Sequence, residues 1–185
     1  KHLISPDYSQ IELRVAAYLS REPVFLKAFN EGYDLHTAVM CDLLQEDYND
    51  INPILRDKYP KDKYQTYHDY RLVIKRVNFG ILYGIWIEKL IKVAKQMNLN
   101  LTEEETKNFI DKWYTKHTAL LGWIHQTENQ LIKDGELRTI FGRLRHLQGA
   151  NRKDKFGKRM LRQGVNFVIQ SPASDITLIA ISELN

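Results

Sequence analysis

The sequence predicts a mostly helical α+β fold. Apolar residues recur at helical spacing in several stretches, among them Ile11–Leu19 and a stretch from about Leu120 to Lys133. Two short apolar runs, residues 2–6 and residues 137–147, are instead typical of strands. With 185 residues and 43% hydrophobic residues, the chain is long enough and apolar enough to bury a core.

The N-terminal third begins with the predicted strand at residues 2–6, which ends directly at Asp7. A helix follows over Ile11–Leu19, and a short apolar run follows Pro23. Residues 45–70 are polar, rich in tyrosine and interrupted by Pro53 and Pro60. Because helical periodicity is poor there, we expect loops and short helices.

The stretch Arg71–Gly84 is predicted to be a helix with an unusual face. Arg71, Lys75, Phe79 and Tyr83 fall at steps of four, so one face carries two cations at one end and two rings at the other. This gradient suits a ligand with phosphates at one end and a flat base at the other. An amphipathic helix with merely solvated cations is the alternative.

The remaining elements follow from caps and turns. Residues 87–97 have the spacing of a second helix, and Thr102 with Glu105 forms a capping box for a third. That third helix carries Phe109 and Trp113, which we assign to the core. The helix from about Leu120 ends at residues 134–135, a strand–turn–strand unit occupies 137–147, and a basic loop at 151–158 leads into the last helix.

Charge is unevenly distributed along the chain. The net charge is +4, but residues 133–163 contain ten Lys or Arg against three Asp or Glu. A basic segment on a mildly acidic body indicates a polyanion surface, although basic solvated loops are common. The single cysteine, Cys41, excludes an internal disulfide framework. No apolar run is expected to span a membrane, no signal peptide is recognised, and both ends look cut from a larger protein.

Two of these stretches resemble motifs of one family. Arg71–Gly84, with the pattern RxxxKxxxFGxxYG, resembles motif B of the family A DNA polymerases (the DNA polymerase I family), and residues 7–14, DYSQIELR, resemble motif A. The resemblance implies a partial palm at 1–20 and 146–185, with a helical fingers subdomain at 21–145. The chain would then run from motif A to just before motif C. The long 45–70 connection favours a phage-like or otherwise divergent member.

The resemblance also implies roles for individual residues in metal and nucleotide binding. Asp7 would bind two catalytic Mg²⁺ ions, and the Tyr8 carbonyl would also ligate metal; a helix cap is the alternative for Asp7. Asp7 and Lys75 are the implied catalytic residues. Glu12 would exclude ribonucleotides and hydrogen-bond Tyr83. The implied nucleotide-binding residues are Gln10, Glu12, His36, Arg71, Lys75, Phe79 and Tyr83.

A third stretch suggests contact with DNA. Arg162, Asn166 and Gln170 are spaced at steps of four, and amides can donate to the minor-groove acceptors that all base pairs share. A helix with a polar face is the alternative. The stretch resembles the family helix that touches the primer terminus, although Ser171–Pro172 departs from the family pattern. The implied DNA-binding residues are Arg138, Arg143, Arg145, Arg162, Asn166 and Gln170.

The predicted function is therefore DNA-directed DNA polymerase in replication or repair, with primer-template DNA and deoxynucleoside triphosphates as partners and Mg²⁺ as cofactor. The second metal-binding aspartate would lie in motif C, outside the chain, so this segment alone is expected to be inactive. Two alternatives stay open: a relative of single-subunit RNA polymerases, and a non-catalytic nucleic-acid-binding remnant. We expect a cytoplasmic location in a bacterium or a phage-infected host.

Overall fold

The computed structural model describes residues 7–51, 61–84 and 102–183, together with the isolated positions 89, 92 and 96. Within these ranges the helices are α1 (Ile11–Ser20), α2 (Pro23–Asn30), α3 (Leu35–Leu44), α4 (Tyr48–Ile51), α5 (Lys61–Leu82), α6 (Glu103–Lys116), α7 (Thr118–Asp134) and α8 (Lys155–Glu183). The strands are β1 (Glu136–Arg138) and β2 (Leu144–His146). This architecture confirms the mostly helical α+β class. The strand predicted at residues 2–6 lies outside the described residues, as does nearly all of the helix predicted at 87–97.

Local signals in the sequence set several helix ends. The Thr102 hydroxyl accepts a hydrogen bond from the Glu105 backbone at 3.1 Å, and the Glu105 carboxylate accepts one from the Thr102 backbone at 2.7 Å. This reciprocal pair is the predicted capping box. Asp34 caps α3 by accepting from the Thr37 backbone at 2.9 Å. Helix α7 ends at Gly135, whose φ of 71° is the left-handed conformation that glycine adopts without strain.

The predicted strand–turn–strand unit is confirmed as an antiparallel hairpin. Leu137 pairs with Arg145, and Glu136 pairs with His146. The connecting turn contains Gly142 with φ of 87°. Leu137 is buried and packs into a small apolar cluster with Leu131, Leu147 and Val168 of the neighbouring segments, which attaches the hairpin to α7 and α8.

The main core lies where α1, α3, α5 and α6 meet. Its fully buried side chains include Leu13, Leu35, Ile74, Ile110 and Trp113, one or more from each of these helices. Helix α3 packs against α5, while α1 packs against α7 and α8. The assignment of Trp113 to the core is therefore confirmed, and the apolar side of α5 is anchored in this core.

Helix α5 begins ten residues before the expected start, so the prediction of loops and short helices was wrong for residues 61–70, which belong to one long helix. Tyr67 and Tyr70 pack against the main core, and the Tyr70 ring lies 4.6 Å from the Phe109 ring. The Gln65 side chain donates to Asp69 at 2.8 Å across one helical turn. Tertiary packing of tyrosines therefore stabilises a helix whose own apolar periodicity is poor.

Helix α8 is long and continues through Pro172, despite the departure from the family pattern there. By length and composition alone, it also meets the criterion for crossing a membrane, so the expectation that no apolar run reaches that length was wrong. A core helix meets the same criterion. Buried residues of α8 such as Val165 and Ile169 pack in the main core, so this match is weak evidence for a membrane span.

We predict that Glu22→Ala destabilises the start of α7. The Glu22 carboxylate is buried and accepts a hydrogen bond from the backbone N–H of Leu120 at 3.1 Å, an N–H with no partner inside the helix. Without this acceptor the buried N–H is unsatisfied, and we expect a loss of about 2 kcal/mol in the free energy of unfolding. Thermal unfolding and hydrogen exchange of the Leu120 amide would measure it.

Glu22→Gln retains an oxygen acceptor and should lose less, and Glu46→Ala, which removes an exposed carboxylate, should have little effect. Equal protection of the Leu120 amide in the wild type and Glu22→Ala would contradict the capping role.

Candidate active site

Three of the four residues predicted to share one face, Arg71, Lys75 and Phe79, lie within α5. Lys75 is exposed, whereas Arg71 and Phe79 are half-buried. Tyr83 lies in the turn that follows Leu82, at the end of the helix. Cations therefore occupy one end of the face and aromatic rings the other, as predicted.

Arg71 is held by Asp34, the residue that caps α3. The guanidinium donates from Nε to Oδ2 and from Nη2 to Oδ1, both at 2.9 Å, and Nε also lies 3.2 Å from the Thr37 hydroxyl. Burial alone would raise the pKa of Asp34, but the hydrogen bonds from Arg71 and Thr37 outweigh it and lower the pKa. The carboxylate therefore stays charged and orients the guanidinium. Neither Asp34 nor Thr37 was predicted from the sequence to belong to the site.

His36 follows on α3 and is buried, with 2% of the residue exposed. Its Nδ1 lies 3.2 Å from the side-chain nitrogen of Asn78, and its ring centroid lies 5.8 Å from that of Phe79. Burial lowers its pKa to about 4; the Asp34 charge opposes this shift, and Arg71 and Lys75 add to it. His36 is therefore a neutral ring beside the cationic face of α5.

Asn78 was missed by sequence reasoning. It is fully buried on α5, where its Nδ2 faces His36 and its Oδ1 accepts from the Trp113 indole N–H at 2.9 Å. Trp113 had been assigned to the core alone. The available signal was an amide directly before Phe79 in a largely apolar stretch, because a buried amide needs hydrogen-bond partners.

Tyr83 joins three stretches that are far apart in the sequence. Its hydroxyl donates a short hydrogen bond to Glu12 Oε2 on α1, and its side chain also hydrogen-bonds Gln170 on α8. Burial raises the pKa of Tyr83, and the bond to the Glu12 carboxylate raises it further. Glu12 and Gln170, predicted from separate motifs, thus lie on either side of one hydroxyl.

Asp7, Tyr8 and Gln10 precede α1. Asp7 and Tyr8 are exposed, and the Arg14 side chain donates to the Ser9 carbonyl at 2.9 Å, which fixes the path of the segment. Gln10 is half-buried in a left-handed conformation with φ of 55°. Its side-chain oxygen is buried and accepts no hydrogen bond from the residues that the structure describes.

The metal expected at Asp7 can be tested against the donors that surround it. An accessible carboxylate suits Mg²⁺, which binds one or two carboxylates and takes further oxygens from phosphates and water. Within 7–51, 61–84 and 102–183, no group of three or more His, Cys, Asp or Glu could hold a metal ion. Asp7 therefore fits one ligand of a metal site that other groups must complete.

The hairpin arginines all interact within the chain. Arg143 donates to Asp175 of α8 at 2.7 Å, Arg138 donates to the Gly142 carbonyl at 3.0 Å, and Arg145 lies 3.4 Å from the Gln163 side-chain oxygen. All three arginines are nevertheless exposed. Arg143 and Arg145 join the hairpin to α8, Arg138 bonds within the hairpin turn, and all three still present positive charge at the surface.

The side chains predicted on α8 have different environments. Arg162 packs over Gly84 so closely that a Cβ atom added to this glycine would lie 2.3 Å from the Arg162 Cδ. The Asn166 side-chain oxygen is buried and has no hydrogen-bond partner among the residues that the structure describes. Gln170 is exposed and contacts Tyr83. Helix α8 and the end of α5 therefore meet at this point.

A family model described as DNA polymerase family A matches residues 1–185. The chain belongs to DNA polymerase family A. DNA polymerase I of Streptococcus pneumoniae (serotype 4, strain TIGR4) is 32% identical over 185 residues, which cover 99% of this chain and 19% of that protein. The thermostable DNA polymerase I of Thermus thermophilus is 30% identical over 183 residues, 98% of this chain and 20% of that protein.

A solved structure agrees with this family A assignment. It is the POL domain of Pol1 from M. smegmatis in complex with DNA primer-template and dNTP, with a TM-score of 0.72 and 27% identity. The match covers 92% of this chain and 27% of that one. The expected fold, a partial palm with helical fingers, is therefore confirmed. The family A chain spans about a fifth of the length of its curated relatives.

We predict that Gly84→Ala destabilises this family A chain where α5 meets α8. Gly84 has φ of 65°, which alanine adopts only with strain, and the added Cβ would overlap Arg162. The expected loss is about 1–3 kcal/mol in the free energy of unfolding, measured by thermal unfolding. Gly122→Ala is the control, because that glycine lies within α7 with open space around it, and it should be neutral or stabilising. Equal stability of the two variants would show that Gly84 is not constrained.

Proposed function

We propose that the chain forms part of the active site of a DNA-directed DNA polymerase, which adds deoxynucleotides to a primer 3′ end under the direction of a template. The observation that carries the proposal is the graded face of α5 in a family A chain, with Tyr83 at its end hydrogen-bonded to Glu12. This face presents Arg71 and Lys75 for phosphates and Phe79 for a flat base.

The proposal assigns the incoming triphosphate to the cationic end of α5. Lys75 is exposed and can contact phosphate without rearrangement. Arg71 already forms a bidentate pair with Asp34, so its guanidinium is oriented before a nucleotide arrives. His36 lies beside both cations, and Phe79 would pack near the sugar and base.

Glu12 and Tyr83 are proposed to select the sugar. Their hydrogen bond holds the Glu12 carboxylate against the end of α5. A fixed side chain in this position would crowd a ribose 2′-hydroxyl and leave a deoxyribose unhindered. Gln10, which immediately precedes α1, is proposed to contribute to the same nucleotide site.

Asp7 and the Tyr8 carbonyl are proposed to hold Mg²⁺. When bound, the metal would activate the primer 3′-hydroxyl and stabilise the leaving pyrophosphate. The exposed position of Asp7 supports this assignment. A second carboxylate is needed for a two-metal site, and the proposal places it in a motif beyond residue 185, so that the segment alone would be inactive.

Primer-template DNA is the proposed partner of the hairpin and α8. The exposed Arg138, Arg143 and Arg145 can reach a phosphate backbone, and the basic segment 133–163 supports this assignment. On α8, Arg162, Asn166 and Gln170 are proposed to contact the primer terminus. Because Gln170 already contacts Tyr83, the DNA site and the nucleotide site would adjoin.

We predict that Asp7→Ala abolishes primer extension by the full-length protein that carries this chain. Loss of a metal ligand should reduce templated deoxynucleotide addition at least about a thousandfold, whereas DNA binding should change little. The assay is primer extension with Mg²⁺, beside a DNA-binding titration. Asp111→Ala, which removes an exposed acid from α6, is the matched control and should retain activity.

A wild-type protein that binds primer-template DNA but extends no primer would favour the alternative of a non-catalytic binding remnant. Full activity of Asp7→Ala would overturn the metal assignment.

We predict that Glu12→Ala relaxes sugar selection. The ratio of kcat/KM for ribonucleotides to that for deoxynucleotides should rise about tenfold or more, because the carboxylate that crowds the 2′-hydroxyl is gone. Tyr83→Phe, which keeps Glu12 but removes its hydrogen bond, should give a smaller rise. An unchanged ratio in Glu12→Ala would contradict the role of Glu12 as the gate, and a wild type that prefers ribonucleotides would favour the RNA polymerase alternative.

A further inference from the structure

Three buried side chains from three helices form a hydrogen-bonded row beside the α5 face. The Trp113 indole N–H donates to Asn78 Oδ1 at 2.9 Å, and Asn78 Nδ2 faces His36 Nδ1 at 3.2 Å. All three residues are at most 2% exposed. Nothing in the nucleotide assignments above uses Asn78 or Trp113.

The direction of each hydrogen bond in this row is determined by chemistry. An indole nitrogen can only donate, so the Asn78 atom facing Trp113 must be the carbonyl oxygen. The amide –NH₂ of Asn78 then faces His36 and can only donate. His36 Nδ1 must therefore accept, and an imidazole nitrogen accepts only when it carries no proton.

We propose that Asn78 and Trp113 are positioning residues that hold His36 as the neutral tautomer protonated on Nε2, and thereby make it an uncharged donor to a phosphate oxygen. The tautomer follows from the row itself. Its use toward phosphate rests on the proposed function, because it needs a nucleotide beside the cationic end of α5.

Other groups around His36 support the neutral form. The charged groups that act on the ring are Asp34 at the start of α3 and Arg71 and Lys75 on α5, and the two cations disfavour a third positive charge. Protonation of Nδ1 would also set an N–H against the Asn78 –NH₂. The pKa of His36, lowered to about 4, agrees with this geometry. The bond within the row uses Nδ1, so Nε2 is the ring nitrogen that can donate outside the row.

In this arrangement neighbouring side chains would have different roles toward a phosphate. Arg71 and Lys75 supply positive charge, whereas His36 would supply a directed N–H whose state does not change through the neutral pH range. A histidine with its ordinary pKa would change charge in that range and would make nucleotide affinity depend on pH.

The tautomer can be measured directly in the wild-type protein. With ¹⁵N-labelled histidine in the full-length protein, His36 should show an unprotonated Nδ1 and a protonated Nε2, with no titration down to about pH 5. His36→Gln identifies the resonances. A proton on Nδ1, or a ring that titrates near its ordinary pKa, would overturn the proposal, and this result does not depend on any nucleotide or activity.

We predict that Asn78→Asp gives nucleotide binding a pH dependence that the wild type lacks. The carboxylate can accept from both Trp113 and His36, so His36 takes a proton on Nδ1 and its pKa rises. Below the new pKa the ring is charged and still donates from Nε2. Above it Nε2 is bare, and KM for the deoxynucleotide should rise about tenfold relative to wild type. The ratio of the two KM values, measured from about pH 6 to pH 9, should therefore increase with pH.

A new negative charge at residue 78 would also change KM by a factor that does not vary with pH. Only the change of the KM ratio with pH therefore tests the proposal. Asn108→Asp, on the exposed side of α6, is the control, and the ratio of its KM to that of the wild type should not change with pH. A flat ratio in a folded Asn78→Asp protein would overturn the proposal.

Trp113→Phe gives a second test that adds no charge. Without the indole N–H, Asn78 is free to present its oxygen to His36, and the ¹⁵N spectrum should show a mixture of the two neutral tautomers. Trp123→Phe, which alters a half-buried tryptophan outside the row, should leave the spectrum of His36 unchanged. A single Nε2-protonated form in Trp113→Phe would show that Trp113 does not orient the row. A wild type that shows this tautomer but binds no deoxynucleotide would contradict the proposed function and leave the tautomer assignment intact.

Discussion

The contact between α3 and α5 determines the position of the candidate nucleotide site. The apolar side of α5, including Ile74, packs in the main core, and two polar bridges join α5 to the N-terminal end of α3. One bridge is the bidentate pair of Arg71 with Asp34, and the other is the bond between Asn78 and His36. Because the two bridges are nearly two helical turns apart on α5, they fix the rotation of α5 about its axis and its position along that axis relative to α3.

Tyr83 has a comparable role at the other end of the face. Its hydroxyl connects α1, through Glu12, with α8, through Gln170. Gly84 then allows Arg162 to lie against the backbone directly after this tyrosine. A movement of α5 relative to α1 or α8 would have to break these contacts, which would couple the proposed nucleotide site to the proposed DNA site.

Several charged residues of this protein are bonded to partners within the chain. Arg143 pairs with Asp175, and the Glu22 carboxylate caps α7 from inside the core. Arginine side chains can donate to several acceptors at once, so an arginine bonded within the chain can still face a phosphate. Lys75 and Asp7 differ, since both are exposed and make no side-chain hydrogen bond to the described residues.

Short-range patterns in the amino-acid order were sufficient to establish the helical class, the capping box at Thr102, the hairpin around Gly142 and the face that carries Arg71 and Lys75. Each of these depends on residues within one or two turns of each other, where spacing alone specifies geometry. The same patterns predicted loops and short helices over residues 61–70, where tyrosine packing against distant residues stabilises the start of one long helix instead.

Tertiary structure alone revealed the partners of these residues. Asp34 and Arg71 are separated by 37 positions, and Asn78 and Trp113 by 35, so no local spacing could pair them. Folding brings such groups together because a buried polar atom must find a hydrogen-bond partner wherever the packing of the helices provides one.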